Sequence, residues 1–179
     1  MGDIRLQRPA LLVIGAFGQT GDSLEFVRTR VMKQWGDVQL ASDIFDFDQT
    51  NYYSPTMGSG LKKQFWAVKN LIDKAELPKI KHLTNEWEVE YADKSKSEQV
   101  VRPVNIDPGY LTEAKLVLAT TKDRDHRLYL ADGIFGEVTL YYQRQRWRVS
   151  HWTYPDYQTA EYHQFFSDCR NFLREQYQD

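Results

Sequence analysis

Polar side chains able to bind an anion or move a proton crowd one stretch of this sequence, Asn105 to Tyr157. It opens with Asn105-Ile-Asp107-Pro-Gly-Tyr110, passes through Lys122-Asp-Arg-Asp-His126-Arg127, and closes with Trp152-Thr-Tyr154-Pro-Asp156-Tyr157. His126 and Glu137 are the candidate catalytic pair, because a carboxylate that fixes a histidine tautomer makes a general base. The bland alternative is a structural or surface His–Glu pair. Lys122 and Arg127 offer counter-charge to a phosphate or carboxylate. They also alternate with Asp123 and Asp125, as a salt-bridged, solvated turn would. Asn105, Asp107 and Tyr110 fall at a strand end and turn, where sites often sit, although Asp107 would serve equally as a helix cap. Trp152, Tyr154 and Tyr157 could stack a planar ligand or latch the last helix onto the sheet, and Asp156 adds a carboxylate to the same segment.

Other motifs are weaker. Gly15-x-x-Gly18-x-x-Gly21 follows a strand and precedes a helix, as a dinucleotide-binding phosphate turn would, but no doubly wound alternation continues from it and a flexible strand–helix turn is the favoured reading. Gly58-Ser-Gly60-Leu-Lys62-Lys63 could form an anion nest, yet lacks phosphate-loop spacing. Asp46 and Asp48 would share one strand face, as a solvated face also would. There is no H-E-x-x-H or H-x-H spacing and only one cysteine, so no metal site is expected. Cys169 lies on an apolar helical face, where an inert buried thiol is the default. Whether a cofactor is bound stays unknown from these patterns.

The elements that would position these groups are legible from periodicity. Pro9–Phe17 is an apolar run of strand length. Asp22 and Glu25 have capping-box spacing, and Leu24, Val27, Val31 and Trp35 repeat helically up to Gly36. Strands are expected at 38–47, 61–71 and 100–106. A second helix follows Asp73 and Glu76, with Ile80, Leu83, Trp87 and Tyr91 as its stripe. A charged connection runs over 93–99. Asp107-Pro108 predicts a short helix reaching to Ala119, although the KLVLA within it also suits a strand. Asp132-Gly133 between alternating runs predicts a two-residue hairpin, with Ala131 facing Ile134 and His126 facing Thr139. A further strand, 146–152, and a closing helix carrying Tyr162, Phe165, Phe166, Cys169, Phe172 and Leu173 complete the chain. The expected fold is one α+β domain over 1–179: a ferredoxin-like βαββαβ first half, extended by a helix, a β-hairpin or meander and a C-terminal helix.

Bulk properties bound the function. At 41% apolar and 27% charged over 179 residues, the chain is long enough to bury a core and is not of disordered composition. A net charge of −2 supplies no overall field for nucleic acid or acidic lipid. No apolar run reaches membrane-span length and no signal-peptide layout is visible, so no membrane partner and a cytoplasmic location are expected.

The chain resembles a bacterial family, domain of unknown function 4416, over nearly its whole length. The likeness rests on Phe45-x-Phe47-x-x-Thr50-x-Tyr52-Tyr53, Met57-Gly58, Thr84-Asn85, Asn105-x-Asp107-Pro-Gly-Tyr110, Ala119-Thr-Thr-Lys122, His126-Arg127-x-Tyr129-Leu130, Gly133-Ile134, Glu137-x-Thr139-Leu140 and Trp152-Thr-Tyr-Pro-Asp-Tyr157. It departs at Thr56, where the family usually has a glutamate. The resemblance brings no activity, substrate or catalytic residue. A GTP-binding label attached to some members finds no phosphate loop here, and the glycines at 15, 18 and 21 are not a family feature. The leading expectation is a small-ligand pocket for an anionic, phosphate- or carboxylate-bearing molecule such as a nucleotide, possessing catalytic groups if His126 and Glu137 meet. The alternative is a non-enzymatic protein-interaction module using the Tyr/Trp patch; RNA binding is the third and least favoured reading, given the acidic balance.

Overall fold

A computed structural model of the protein describes residues 2–3, 6–50, 52–95 and 100–178. In chain order the elements are β1 (Leu11–Gly18), α1 (Gly21–Trp35), β2 (Val38–Ala41), β3 (Phe45–Asp46), α2 (Ser54–Met57), β4 (Lys62–Val68), α3 (Leu77–Ser95), β5 (Val104–Leu111), β6 (Lys115–Thr120), β7 (Leu128–Ala131), β8 (Ile134–Gln143), β9 (Arg146–Val149) and α4 (Ala160–Gln176). Short 3-10 turns, Lys74–Glu76 and Pro155–Gln158, lead into α3 and α4. The strands form one antiparallel sheet in the order β2-β4-β1-β5-β6-β8-β7, with β3 on β4 and β9 on β8.

Helices cover both faces, which is why β1 is apolar at every position rather than alternating. Leu12, Ile14, Ala16, Trp66 and Ile106 pack under α1 and α3 through Leu24, Val27, Ile80 and Trp87. Leu11, Val13, Phe65, Leu111 and Leu140 pack under α4 through Phe165, Phe166, Cys169 and Leu173. Burial pushes the Cys169 thiol well above its ordinary pKa, so it stays protonated and inert.

Local chemistry corrects several sequence expectations. The cap of α1 is Thr20, whose hydroxyl accepts from the Ser23 N–H at 3.3 Å, so the helix begins before the Asp22–Glu25 pair. The expected strand 38–47 is broken into β2 and β3, and α2 occupies part of the loop behind it. Gly15 and Gly18 lie inside β1, not in a phosphate turn. A Cβ on Gly18 would stand 2.7 Å from the Pro103 carbonyl, and one on Gly15 would stand 2.8 Å from the Phe65 ring, so strand packing accounts for both. The charged connection at 93–99 begins as the last turn of α3 and runs outside the described residues.

The largest correction concerns Asp107-Pro108. No helix forms there; both residues belong to β5, and 115–120 forms β6. Proline is tolerated in this strand because of how β5 is paired. On one side it runs beside β1 from Leu11↔Leu111 to Gly18↔Val104. On the other it meets β6 only at Gly109↔Leu118, Tyr110↔Val117 and Leu111↔Leu116. Ile106 points its N–H and C=O away from β1, and Pro108, two residues on, shares that side. Its missing donor therefore falls where no ladder bond is made. Beyond Pro108 the two strands part.

The hairpin at Asp132-Gly133 forms as expected, with φ of 51° and 75° at the two turn residues and Ala131 opposite Ile134. A bulge at Leu130 then shifts the ladder, so Tyr129 pairs with Phe135 and Leu128 with Gly136. The expected pairing of His126 with Thr139 is lost, and Tyr129 and Phe135 stack edge-on at 5.5 Å instead of facing opposite ways.

Candidate functional site

Where β5 and β6 part, the sheet opens into a cavity of about 410 Å³, a size suited to a small metabolite. The exposed edge of β5 is not left bare. Lys81 Nζ, reaching from α3, donates to the Ile106 carbonyl at 2.8 Å. The Ile106 N–H donates to Glu88 Oε1 at 2.7 Å, and Glu88 Oε2 in turn accepts from Arg102 at 2.7 Å. Lys81, Asn85 and Glu88 are spaced i, i+4, i+7, so they form one row along α3 facing the gap. Satisfying a strand edge with charged side chains is what keeps the opening from being a run of orphaned backbone groups.

The opposite wall lies on the α4 side of the sheet. Asn105 and Asp107 project there from β5, and Asn105 Nδ2 donates to Asp107 Oδ2 at 2.8 Å. Lys63, buried, donates to Asp156 Oδ2 at 2.6 Å. Its ammonium sits within 5.7 Å of five ring centroids, those of Phe17, Phe47, Phe65, Tyr157 and Tyr162, which supply cation–π attraction to a charge that has left water. Glu137, also buried, accepts from Arg127 Nε at 2.9 Å and lies 3.1 Å from His126 Nε2. Arg127 Nη2 donates to the Tyr154 hydroxyl at 2.9 Å, and Arg127 Nη1 to the Lys122 carbonyl at 3.1 Å. Tyr52 closes the rim, accepting from Lys122 Nζ at 3.2 Å; that hydrogen bond lowers the pKa of its phenol. Burial raises the phenols of Tyr53, Tyr154 and Tyr157, with Asp107 adding to the rise in each.

The charges do not balance. Lys63, Lys81, Arg102, Lys122, Arg124 and Arg127 line the cavity against Asp107, Glu137 and Asp156, a surplus of three positive charges. Lys63 and Arg127 are neutralised by carboxylates of the cavity itself, and Arg102 by Glu88. Among the described residues Lys81, Lys122 and Arg124 have no carboxylate partner within salt-bridge distance, and of these Lys81 is only 5% exposed. A buried ammonium held by one carbonyl is a strong anchor for an incoming anion. Among the described residues no three His, Cys, Asp or Glu side chains converge as metal ligands.

Of the residues singled out from sequence, Asn105, Asp107, Lys122, Arg127, Glu137, Tyr154 and Asp156 line this cavity. His126 does not line it. It stacks on Trp152 with ring centroids 5.2 Å apart, and its two nitrogens face Asp125 and Glu137. Trp152 is likewise off the wall, its indole N–H donating to the Val138 carbonyl at 3.1 Å. Tyr110 points to the α3 side and packs with Leu77, Val117 and Val138. Sequence reasoning missed Lys81, Asn85 and Arg102. One signal was readable: Lys81 and Thr84 fall on the buried stripe of α3, among Leu77, Ile80 and Trp87, where a lysine is out of place. Of the Gly58–Lys63 stretch, Lys62 pairs with Asp46 and Lys63 turns inward to Asp156.

Fold and site together define an α+β protein whose sheet is parted around a cationic pocket. The chain belongs to the family described as Domain of unknown function (DUF4416), whose model matches residues 8–172. No curated protein and no solved structure matches it. No helix among the described residues is long and apolar enough to cross a membrane.

Proposed function

We propose that this protein binds a small anionic molecule, bearing a phosphate or carboxylate, in the cavity between β5 and β6. The observation that supports this best is the buried Lys81, facing the cavity with no carboxylate partner among the described residues. Lys122 and Arg124, exposed at the rim, add an attracting field that the −2 net charge of the chain does not foreshadow. His126 acts on this reading as a positioning residue: it fixes Glu137, which fixes Arg127 against Tyr154. Catalysis by the His126–Glu137 pair is the less favoured version, because the imidazole is stacked away from the cavity wall. The order β2-β4-β1-β5 supports reading the first half as ferredoxin-like, and the whole of 1–179 as a single domain. We place the protein in the bacterial cytoplasm on the same terms.

Calorimetric titration with phosphorylated and carboxylated metabolites, nucleotides included, tests the reading. Binding should weaken as salt is added, and Lys122→Ala combined with Arg124→Ala should weaken it about tenfold, roughly 1.4 kcal/mol. Absence of binding by every anion, in a sample that melts cooperatively, would sink it.

A protein-contact reading is supported by a different place than the sequence suggested. Trp152 is half-buried, but edge strand β7 exposes Leu128 at 74% and Tyr129 at 63%. Unchanged partner capture by a Leu128→Lys, Tyr129→Lys variant would remove that support.

A further inference from the structure

Resting on the pocket reading above, we infer that the ligand is bipolar: an oxyanion at one end, seated in the strand gap on Lys81, and a hydroxyl-bearing body at the other, read by Asn105, Asp107 and Asp156. A phosphorylated or carboxylated polyol is the class that meets both walls.

The inference comes from counting which polar atoms are already used. Lys81 has three donors and spends one, on the Ile106 carbonyl. Asn85, on the same helix row, has no protein partner for its amide among the described residues, and Arg102 stands beside it through Glu88. Lys81 and the Asn85 amide nitrogen thus bring open donors to that corner, where the Glu88 carboxylate is already taken up by Arg102 and the Ile106 N–H. Across the cavity the bias reverses. Asp107 receives one hydrogen bond at Oδ2 and none at Oδ1 among the described residues. Asp156 receives Lys63 at Oδ2 and, among the described residues, none at Oδ1. Asn105 spends one of its two amide donors on Asp107, and its carbonyl oxygen has no partner among the described residues. Asn105 and Asp156 are each only 4% exposed and both line the cavity, so a molecule bound there would meet them. A purely anionic ligand such as inorganic phosphate would meet repulsion on this wall, whereas hydroxyl groups donate to it and carry no charge to repel. Carboxylates paired with sugar-type hydroxyls also discriminate strongly, since an analogue lacking the hydroxyl leaves them buried and unpaired.

Matched probes separate the two walls: ribose 5-phosphate against n-pentyl phosphate, and gluconate against hexanoate, each titrated by calorimetry. The expected result is at least tenfold tighter binding of the hydroxylated member of one pair, and which pair shows it names the oxyanion. Asp107→Ala should erase that preference and leave n-pentyl phosphate or hexanoate binding intact or improved. Lys81→Met should weaken both members of the pair, and Lys81→Arg, kept as the variant in case Met unfolds the gap, should retain part of the affinity. Equal binding of hydroxylated and plain members by the wild-type protein overturns this inference and leaves the anion pocket standing. Failure of all four probes together with every other anion overturns both.

Discussion

Two ends of the same sheet face behave as different substances. Under α4, β1, β4 and β5 present Leu11, Val13, Phe65, Ala67 and Leu111, which meet Phe165, Phe166 and Leu173 in a dry core. A few residues along the same strands, on the same face, β4 presents Lys63 and β5 presents Asn105 and Asp107. Strand, pleat and face are held constant between the two ends; only the cover changes, from helix to the Pro155–Gln158 turn and the Thr120–Arg127 loop. The lesson is that period-two patterning marks which face a residue takes, while position along the strand decides whether that face is core or site.

The contrast can be broken from its dry end with the largest effect. Phe166→Ala should cost about 3–5 kcal/mol of stability in denaturant melts, because a fully buried ring leaves a cavity, while ligand affinity in the folded fraction stays the same. At the wet end, Lys63→Met should cost about 3 kcal/mol, since it strands Asp156 without its counter-ion. Pairing it with Asp156→Leu should recover most of that loss, which would show that the polar end is kept for something other than stability. A smaller effect is set by pH. The phenols of Tyr53, Tyr157 and Tyr162 are all raised by burial above 10.0. Above that pH the unfolded chain releases their protons and the folded chain retains them. Stability must therefore fall with rising pH, by about 1.4 kcal/mol per pH unit for each tyrosine. Tyr162→Phe should flatten the slope measured by melting between pH 10 and 11. The smallest effect is at the surface. The His126 hydrogen bond holds the Asp125 carboxyl below its ordinary pKa of 3.8, so what it contributes is present above that value and lost as pH falls from there through the lower folded-state pKa. Asp125→Asn should leave neutral-pH stability almost unmoved and slightly reduce the acid sensitivity of the melt.

The dry end was the legible one. β1, the stripes of α1, α3 and α4, and the Asp132-Gly133 turn each follow from local periodicity or from one backbone conformation. What escaped the sequence was set by partners distant along the chain. Pro108 reads as a helix start because nothing nearby says that β6 will stop pairing one residue short of it. Leu130 reads as one more step of an alternating strand because a bulge leaves no local mark. Seven of the ten residues chosen for chemistry do line the cavity; three of them, Asn105, Asp107 and Glu137, stand out as polar residues in otherwise apolar strands. Lys81 and Arg102 reach it from segments whose other lysines and arginines are ordinary surface charge.

Pro108 has a consequence for how this pocket could change size. The parting of β5 from β6 works like the stop on a zip fastener, and the stop is one residue without an N–H. Any other residue at 108 could bond across to β6, closing the sheet by one more rung toward Ile106 and competing with Lys81 and Glu88 for that residue's backbone. One missing N–H thus acts together with Lys81 and Glu88 to keep this stretch of β5 apart from β6.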